Sequence, residues 1–311
     1  MMSCCLIILN YNGKAHLDDC LTSALTASRE TGVACPVILV DNRSTQDDVE
    51  YVRNHFPEVE IIVAKENDCL FSLNPIVSSR TEDIVVILNN DMRFEKGFIP
   101  PLLKHFSDPD VFAVTAKVMN WEGTRVTTGK RMGDFRHGWF YKHWDYGIQQ
   151  TCLTLDAGGG CAAFRRQMFV ELGGFDTLYR PAYYEDMDLS YRAWQRSWKI
   201  LYEPASVIYH KIGATLNDVQ GRSHVSRLIC RNEVLFTIKN CKGYLFLCGY
   251  LLLLPVRLLR NGVAGNQPLT GGIVDALVKI PAALSRRIAQ GKLKKVRDRD
   301  FLQQIKHGAA L

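Results

Sequence analysis

Residues 3–10 (Ser-Cys-Cys-Leu-Ile-Ile-Leu-Asn), 36–41 (Pro-Val-Ile-Leu-Val-Asp), 60–64 and 84–88 are short apolar runs, most of them rich in β-branched side chains. Such runs mark strands buried on both faces. Between the first two, Leu17, Cys20, Leu21, Ala24 and Leu25 recur at helical spacing, and residues 47–55 carry a second helical pattern. Strands separated by helical stretches predict βαβ units and a parallel sheet. Farther on, the pattern predicts a helix over 98–106, a strand over 111–118, and an amphipathic helix ending near Ser197. Two short strands follow, 199–202 and 207–209, on either side of Pro204.

The apolar runs stop abruptly. The fourth ends in Asn89-Asn90-Asp91, and the second ends on Asp41. Open α/β sheets bind ligands beyond the carboxyl ends of their strands, so both acids would share that edge. A carboxylate there suits a cation or a substrate, and the same residues also suit an ordinary Asn/Asp turn. Neither Gly-x-Gly-x-x-Gly nor a P-loop is present, which disfavours a dinucleotide dehydrogenase and a P-loop NTPase.

Residues 120–155 break the pattern. Trp121, Phe135, Trp139, Phe140, Tyr141, Trp144 and Tyr146 lie among Gly, Lys, Arg and His. They suit a sugar or amphipathic acceptor, or they plug the core beneath a loop. Gly158-Gly159-Gly160 allows a tight turn or a close backbone approach. Glu185, Asp186 and Asp188 open a helix, where acids serve as caps or, facing a pocket, as a general base. His210 ends a strand, as a surface residue or as a ligand for Mn²⁺ or Mg²⁺.

Composition narrows the setting. The 311 residues are 47 % hydrophobic and 23 % charged, enough for one large α/β domain with an appendage. Ten cysteines form no C-x-x-C pair, which disfavours zinc and a disulfide framework and predicts reduced thiols in a cytoplasmic protein. The start lacks a basic segment before the first apolar run, so no signal peptide is expected. The net charge of +6 is unevenly spread: residues 239–311 carry +10 and residues 1–238 carry −4. A basic tail on a mildly acidic domain favours an anionic membrane surface over nucleic acid. Residues 244–256 are uncharged, shorter than the roughly 20 needed to span a bilayer, and Arg257 and Arg260 follow. An interfacial or re-entrant helix fits, with 273–288 as a second amphipathic stretch and a basic face over 286–306. The other reading is a helical pair packed on the domain.

Over residues 3–215 the chain resembles glycosyltransferase family 2, inverting enzymes of the GT-A fold. The residues that carry the likeness are Ile7-Ile8-Leu9-Asn10-Tyr11-Asn12-Gly13, Val40-Asp41-Asn42-Arg43-Ser44-Thr45, Leu88-Asn89-Asn90-Asp91, Gly173-Gly174-Phe175-Asp176 and Glu185-Asp186-Met187-Asp188-Leu189. The resemblance implies a Rossmann-like, mostly parallel α/β sheet flanked by helices, followed by a C-terminal helical membrane-associating tail. Residues 1–238 would be catalytic, with a nucleotide-sugar half to about 118 and an acceptor half from 119. Residues 239–311 would be the amphipathic, basic helical region.

The implied reaction moves a sugar, with inversion, from dTDP-rhamnose or a UDP-sugar to a hydroxyl of a lipid-linked glycan, as in cell-surface polysaccharide biosynthesis. By resemblance Asp186 is the base, with Glu185 orienting or tuning it. Asp41 seats the nucleotide base, and Asn10, Asn12, Asn42, Asn74 and Asn90 line the nucleotide-sugar site. Asp91 and His210 hold a divalent metal, Mn²⁺ or Mg²⁺. One carboxylate and one imidazole make a weak site, so the metal is expected to arrive with the nucleotide diphosphate. The tail resembles those of rhamnosyltransferases that extend lipid-linked glycans, implying a peripheral position on the cytoplasmic face of the membrane and no nucleic-acid partner.

Two departures stand out. Residues 67–74 lack the glycine of the usual Asn-x-Gly-Phe stretch, and Ser197 replaces a usual glycine. A nucleotidyltransferase of related fold and a non-catalytic membrane-bound binding module are the competing readings.

Overall fold

In the computed structural model, residues 2–136, 139–211, 221–241, 244–291 and 295–308 are described. The apolar runs form strands β1 (Cys4–Asn10), β2 (Val37–Asp41), β3 (Glu60–Val63) and β4 (Ile84–Asn89). These pair in parallel in the order β3-β2-β1-β4. Helices α1 (Lys14–Arg29), α2 (Asp48–His55) and α3 (Leu73–Ser79) make the crossovers. Strand alternation explains why the runs are apolar throughout. Cys5, Ile7, Ile38, Val40, Val85 and Ile87 enter one core, and Cys4, Leu6, Ile8, Leu39, Val86 and Leu88 enter another on the opposite face.

The second half of the sheet is mixed. β5 (Met92–Phe94), α4 (Ile99–Leu103), β6 (Val111–Asn120) and β7 (Val126–Thr128) come first. The hairpin β8 (Lys130–Arg136) and β9 (Trp139–Asp145), β10 (Cys152–Leu153) and β11 (Cys161–Arg165) follow. β11 inserts between β4 and β6, antiparallel to both. α5 (Arg166–Glu171) and α6 (Glu185–Trp194) then lead to β12 (Lys199–His210), parallel to β6. The two short strands expected around Pro204 are thus one strand, whose register shifts between Glu203 and Val207 so that the proline sits at the irregularity.

The aromatic segment is divided between core and surface. Phe140 is buried and packs against Tyr191 and Phe236, and Phe135 packs against Phe140. Tyr141, Trp144 and Tyr146 stay exposed.

The chain ends in α7 (Arg222–Asn240), α8 (Tyr244–Val263), α9 (Gln267–Gly291) and α10 (Asp298–His307). α7 runs across the division expected between 238 and 239. Tyr250, Ile273, Ala283, Phe301 and Ile305 join the same core as Ile7 and Val40. Phe301 stacks on Trp194 with ring centroids 5.7 Å apart; burying such a ring is worth about 1.5–3 kcal/mol. The uncharged run expected over 244–256 continues as one helix to Val263, past Pro255, Arg257 and Arg260. Residues 292–294 of the expected basic face lie outside the described residues.

Candidate active site

The ends of β1, β2 and β4 are level: Asn10 pairs with Asp41 and Leu9 with Asn89. The candidate residues of the nucleotide half meet there. Asn10 is fully buried, and its Nδ2 donates to Asp48 Oδ1 at 2.9 Å and Asp41 Oδ1 at 3.2 Å. Asn90 Nδ2 donates to Asn10 Oδ1 at 2.7 Å. Gly13 is required at this crossing, because an added Cβ would stand 1.8 Å from Asn90 Nδ2. Ser44 Oγ donates to Asp41 at 2.5 Å and accepts from Asn12 N–H at 2.9 Å, while Asn12 Oδ1 accepts from Thr45 N–H at 2.8 Å. The two sequence segments around Asn12 and Ser44 are therefore laced into one cradle.

Asn42 and Asn74 serve neighbouring loops. Asn42 accepts from Ser72 Oγ at 2.6 Å and donates to the Cys69 carbonyl at 3.2 Å. Asn74 exchanges both its amide hydrogen bonds with the Phe175 backbone, at 2.8 and 2.9 Å, and so holds the Gly-Gly-Phe-Asp turn. Cys69 stands at φ +49° and Ser197 at φ +69°, so both residues without the usual glycine occupy left-handed backbone.

Beyond β4, Asp91 is buried and its Oδ2 lies 3.1 Å from His210 Nε2. β5 makes this contact, since it runs antiparallel to the end of β12 with Met92 opposite His210. Arg93 lies over the Tyr209 ring at 4.1 Å and the Trp121 ring at 5.0 Å, bracing the same corner. A carboxylate oxygen and an imidazole nitrogen suit Mn²⁺ or Mg²⁺ as two donors. Among the described residues no group of three or more His, Cys, Asp or Glu gathers to hold a metal. The pair therefore fits a metal whose remaining ligands come from outside the chain.

The acid pair lies across the glycine turn. An added Cβ on Gly160 would stand 2.3 Å from Asn89 Cγ, and one on Gly159 would stand 3.6 Å from Asp186 Cβ. The turn thus separates the end of β4 from the start of α6. Glu185 is 6 % exposed, and its Oε2 has no hydrogen-bond partner among the described residues. Burial, with the charge of Asp186 beside it, pushes its carboxyl up to about 8. Asp186 is more open, its side chain 25 % exposed, and Oδ1 accepts from Met187 N–H at 2.7 Å. Asp188 has a different fate. Fully buried, it accepts from Lys239 Nζ at 2.6 Å, Arg192 Nε at 2.7 Å, Asn240 Nδ2 at 2.7 Å and the Tyr179 hydroxyl at 2.8 Å. Burial works against its charge, but Lys239 and Arg192 hold it well below the usual carboxylate range.

Several participants are silent in the sequence. Arg131, on β8, sets Nη1 2.7 Å from Asp156 Oδ2 and 4.0 Å from Asp186 Oδ2. Burial disfavours its charge, yet Asp156 and Asp186 more than offset this and hold it protonated. Asp48, buried beneath Asn10, falls in the helical pattern over 47–55, which gives no sign of this contact. An open cleft of about 720 Å³ lined by Met2, Asp83, Lys104 and Arg165 lies at the opposite edge of the sheet and includes none of these residues.

A curled mixed sheet with flanking helices, a polar cradle at its carboxyl edge and an acid pair opposite define a GT-A-like glycosyltransferase fold. The chain belongs to glycosyltransferase family 2, whose model, described as "Glycosyl transferase family 2", matches residues 5–173. It is 26 % identical over 241 residues to the N-acetylglucosaminyl-diphospho-decaprenol L-rhamnosyltransferase of Mycobacterium tuberculosis, covering 68 % of this chain and 77 % of that protein. In fold it is similar to GalNAc-T7, solved with UDP, GalNAc and Mn²⁺, at TM-score 0.59 and 17 % identity. That match covers 77 % of this chain and 48 % of GalNAc-T7. The mannosyltransferase PcManGT from Pyrobaculum calidifontis, solved with GDP-Man and Mn²⁺, aligns at TM-score 0.57 and 17 % identity, over 90 % of this chain and 87 % of that one.

Proposed function

We propose that the protein transfers a sugar, with inversion, from dTDP-rhamnose or a UDP-sugar to a hydroxyl of a lipid-linked glycan. The observation that carries this reading is the acid pair Glu185–Asp186 standing across one glycine turn from the end of β4, the strand that leads into Asp91 and its partner His210. The rhamnosyltransferase relative, which by its name acts on a diphospho-decaprenol acceptor, supports the choice of donor and acceptor class.

On this reading Asp41, Asn10 and Asn12 seat the nucleotide, with Asn42 and Asn90 lining its site. Asn74 contributes by fixing the turn at Phe175. Asp91 and His210 would hold Mn²⁺ or Mg²⁺. The chemistry such a cation would supply is neutralisation of the charge that builds on the diphosphate leaving group. Asp186, the more open acid, takes the proton from the acceptor hydroxyl as its oxygen attacks the anomeric carbon and the bond to the diphosphate breaks. Attack opposite the leaving group inverts the anomeric centre. Burial pushes the Glu185 carboxyl toward its protonated form, which suits it to orienting Asp186 or the acceptor.

The catalytic unit then runs through α7, with its division from the remaining helices after Asn240. We assign α8 and α9 to the membrane surface on the cytoplasmic side. Leu252, Val256, Leu259 and Val263 on α8 are exposed, as are Leu277, Val278 and Ile288 on α9. The window Phe246–Val263 is long and apolar enough to cross a membrane by length and composition alone. Pro255 and the pairing of Arg257 with Glu233 at 3.1 Å favour a helix lying along the surface.

A panel of nucleotide-sugars with Mn²⁺, followed by thermal shift and by release of nucleoside diphosphate in the presence of N-acetylglucosaminyl-diphospho-decaprenol, tests the function. dTDP-rhamnose or a UDP-sugar should stabilise the protein and release its diphosphate only with acceptor. Stabilisation with no release under any donor would mark a binding module.

A further inference from the structure

The acids of α6 are presented by an unfavourable backbone. Tyr183 and Tyr184, the two residues before Glu185, stand at φ +74° and +75°. Left-handed backbone is unfavourable for an L-residue, and bulky side chains rarely adopt it. Tyr184 occupies the N-cap of α6, and its own side chain makes no capping hydrogen bond. The direction in which Glu185 and Asp186 leave the loop is therefore set by two strained torsions. Such torsions persist only where the surroundings over-determine them.

One side chain binds this stretch of backbone at three carbonyls. Asn232, on α7, is fully buried, and its Nδ2 donates to the carbonyls of Ala182 and Tyr183 at 2.8 Å and of Tyr179 at 3.1 Å. Its Oδ1 accepts from Arg231 Nε at 2.9 Å. The amide orientation is fixed by these partners, because carbonyls only accept and guanidinium only donates. Arg231 Nη2 in turn donates to the Arg180 carbonyl at 2.6 Å. From the other side, Lys142 Nζ lies 3.9 Å over the Tyr184 ring and Asp68 pairs with Arg180. Three carbonyls, of Tyr179, Ala182 and Tyr183, thus converge on one buried amide from a helix beyond the residues that match the family.

We propose that Asn232 is a positioning residue for this reaction: it holds the Tyr183–Tyr184 backbone and so aims Asp186 at the acceptor. The proposal rests on Asp186 being the base. Asn232→Ala should speed hydrogen exchange of the amides of residues 180–187 at least tenfold while leaving β1 and β4 unchanged. In the transfer assay, with dTDP-rhamnose or the UDP-sugar that replaces it in the donor panel, kcat per folded molecule should fall about tenfold to a hundredfold. The donor KM should stay within twofold, and the pH dependence of kcat should move. Cys230→Ala, also buried on α7 but turned toward the Leu269 carbonyl, should lower thermal stability without either effect. If Asn232→Ala does not fold, Asn232→Ser, which keeps one donor, is read the same way. Unchanged exchange over 180–187, or unchanged kcat and pH profile, overturns the role of Asn232. Asp186→Asn in the same assay keeps the two ideas apart, since its full activity would sink the base assignment while the exchange result would still judge the clamp.

Discussion

Asp91 Oδ2 and His210 Nε2 lie 3.1 Å apart although 119 residues separate them in the chain. The contact exists because β5 turns the chain back along the end of β12. Two donors are too few to satisfy a hard cation, which takes six or more ligands. Mn²⁺ added to the protein alone should bind more weakly than about 1 mM, and at least tenfold more tightly with dTDP or UDP present. Asp91→Ala should abolish the nucleotide-dependent part. Calorimetry showing equal affinity with and without nucleotide would contradict a site completed by the diphosphate.

Glu185 gives a stability signature. Its folded-state carboxyl is raised from 4.5 to about 8 by burial and by Asp186, with Asp188 adding to the effect. Between those pH values the folded state holds a proton that the unfolded chain has released, so stability falls as pH rises through this window. Below 4.5 the group costs nothing, and above about 8 its cost is complete. Glu185→Gln should flatten the decline between pH 5 and pH 8, roughly the span of the shift, when melting temperature is followed against pH for both proteins. Parallel curves for wild type and variant would show that the proton resides elsewhere.

Lys239 is fully buried between Asp176 and Asp188, at 2.6 Å from each. Its desolvation is offset by two carboxylates, and the substitution Lys239→Ala would leave Asp188 fully buried without it. A loss of about 3–5 kcal/mol is expected in urea unfolding. A loss below about 1 kcal/mol would mean that water reaches the pair as it does at a surface bridge.

The usual glycine at Ser197 can be restored. Ser197 is exposed and left-handed at φ +69°, where it closes α6 with its N–H on the Trp194 carbonyl at 2.9 Å. Ser197→Gly removes the left-handed cost and adds chain entropy to the unfolded state, for a net gain of about 0.5–1 kcal/mol. Destabilisation on the same urea curve would contradict this.

The parallel half of the sheet and its polar edge were legible because each strand is a short apolar run ending on Asn or Asp. The other half was not. β11, Cys-Ala-Ala-Phe-Arg, has no alternation to announce it, and its antiparallel place between β4 and β6 is a matter of long-range pairing. The hairpin over 130–145 hides its period among Lys, Arg, His and aromatics, although Phe135 opposite Phe140 is what seats it in the core. β12 passes Pro204 through a register shift that spacing alone does not reveal. Charge counting placed Lys239 at the head of a basic tail, whereas it is buried between the carboxylates of Asp176 and Asp188. Composition records a charge but not its partner. The same holds for Arg131 and Asn232, whose roles depend on residues 55 and about 50 positions away.

The central claim is that Asp186 removes the acceptor proton. Single-turnover transfer from dTDP-rhamnose, or from the UDP-sugar that replaces it in the donor panel, to N-acetylglucosaminyl-diphospho-decaprenol should be compared for wild type and Asp186→Asn, with donor affinity measured in parallel. The account predicts a loss of at least a hundredfold in rate with donor affinity within about twofold, as expected for removal of a general base. A rate within threefold of wild type would contradict it.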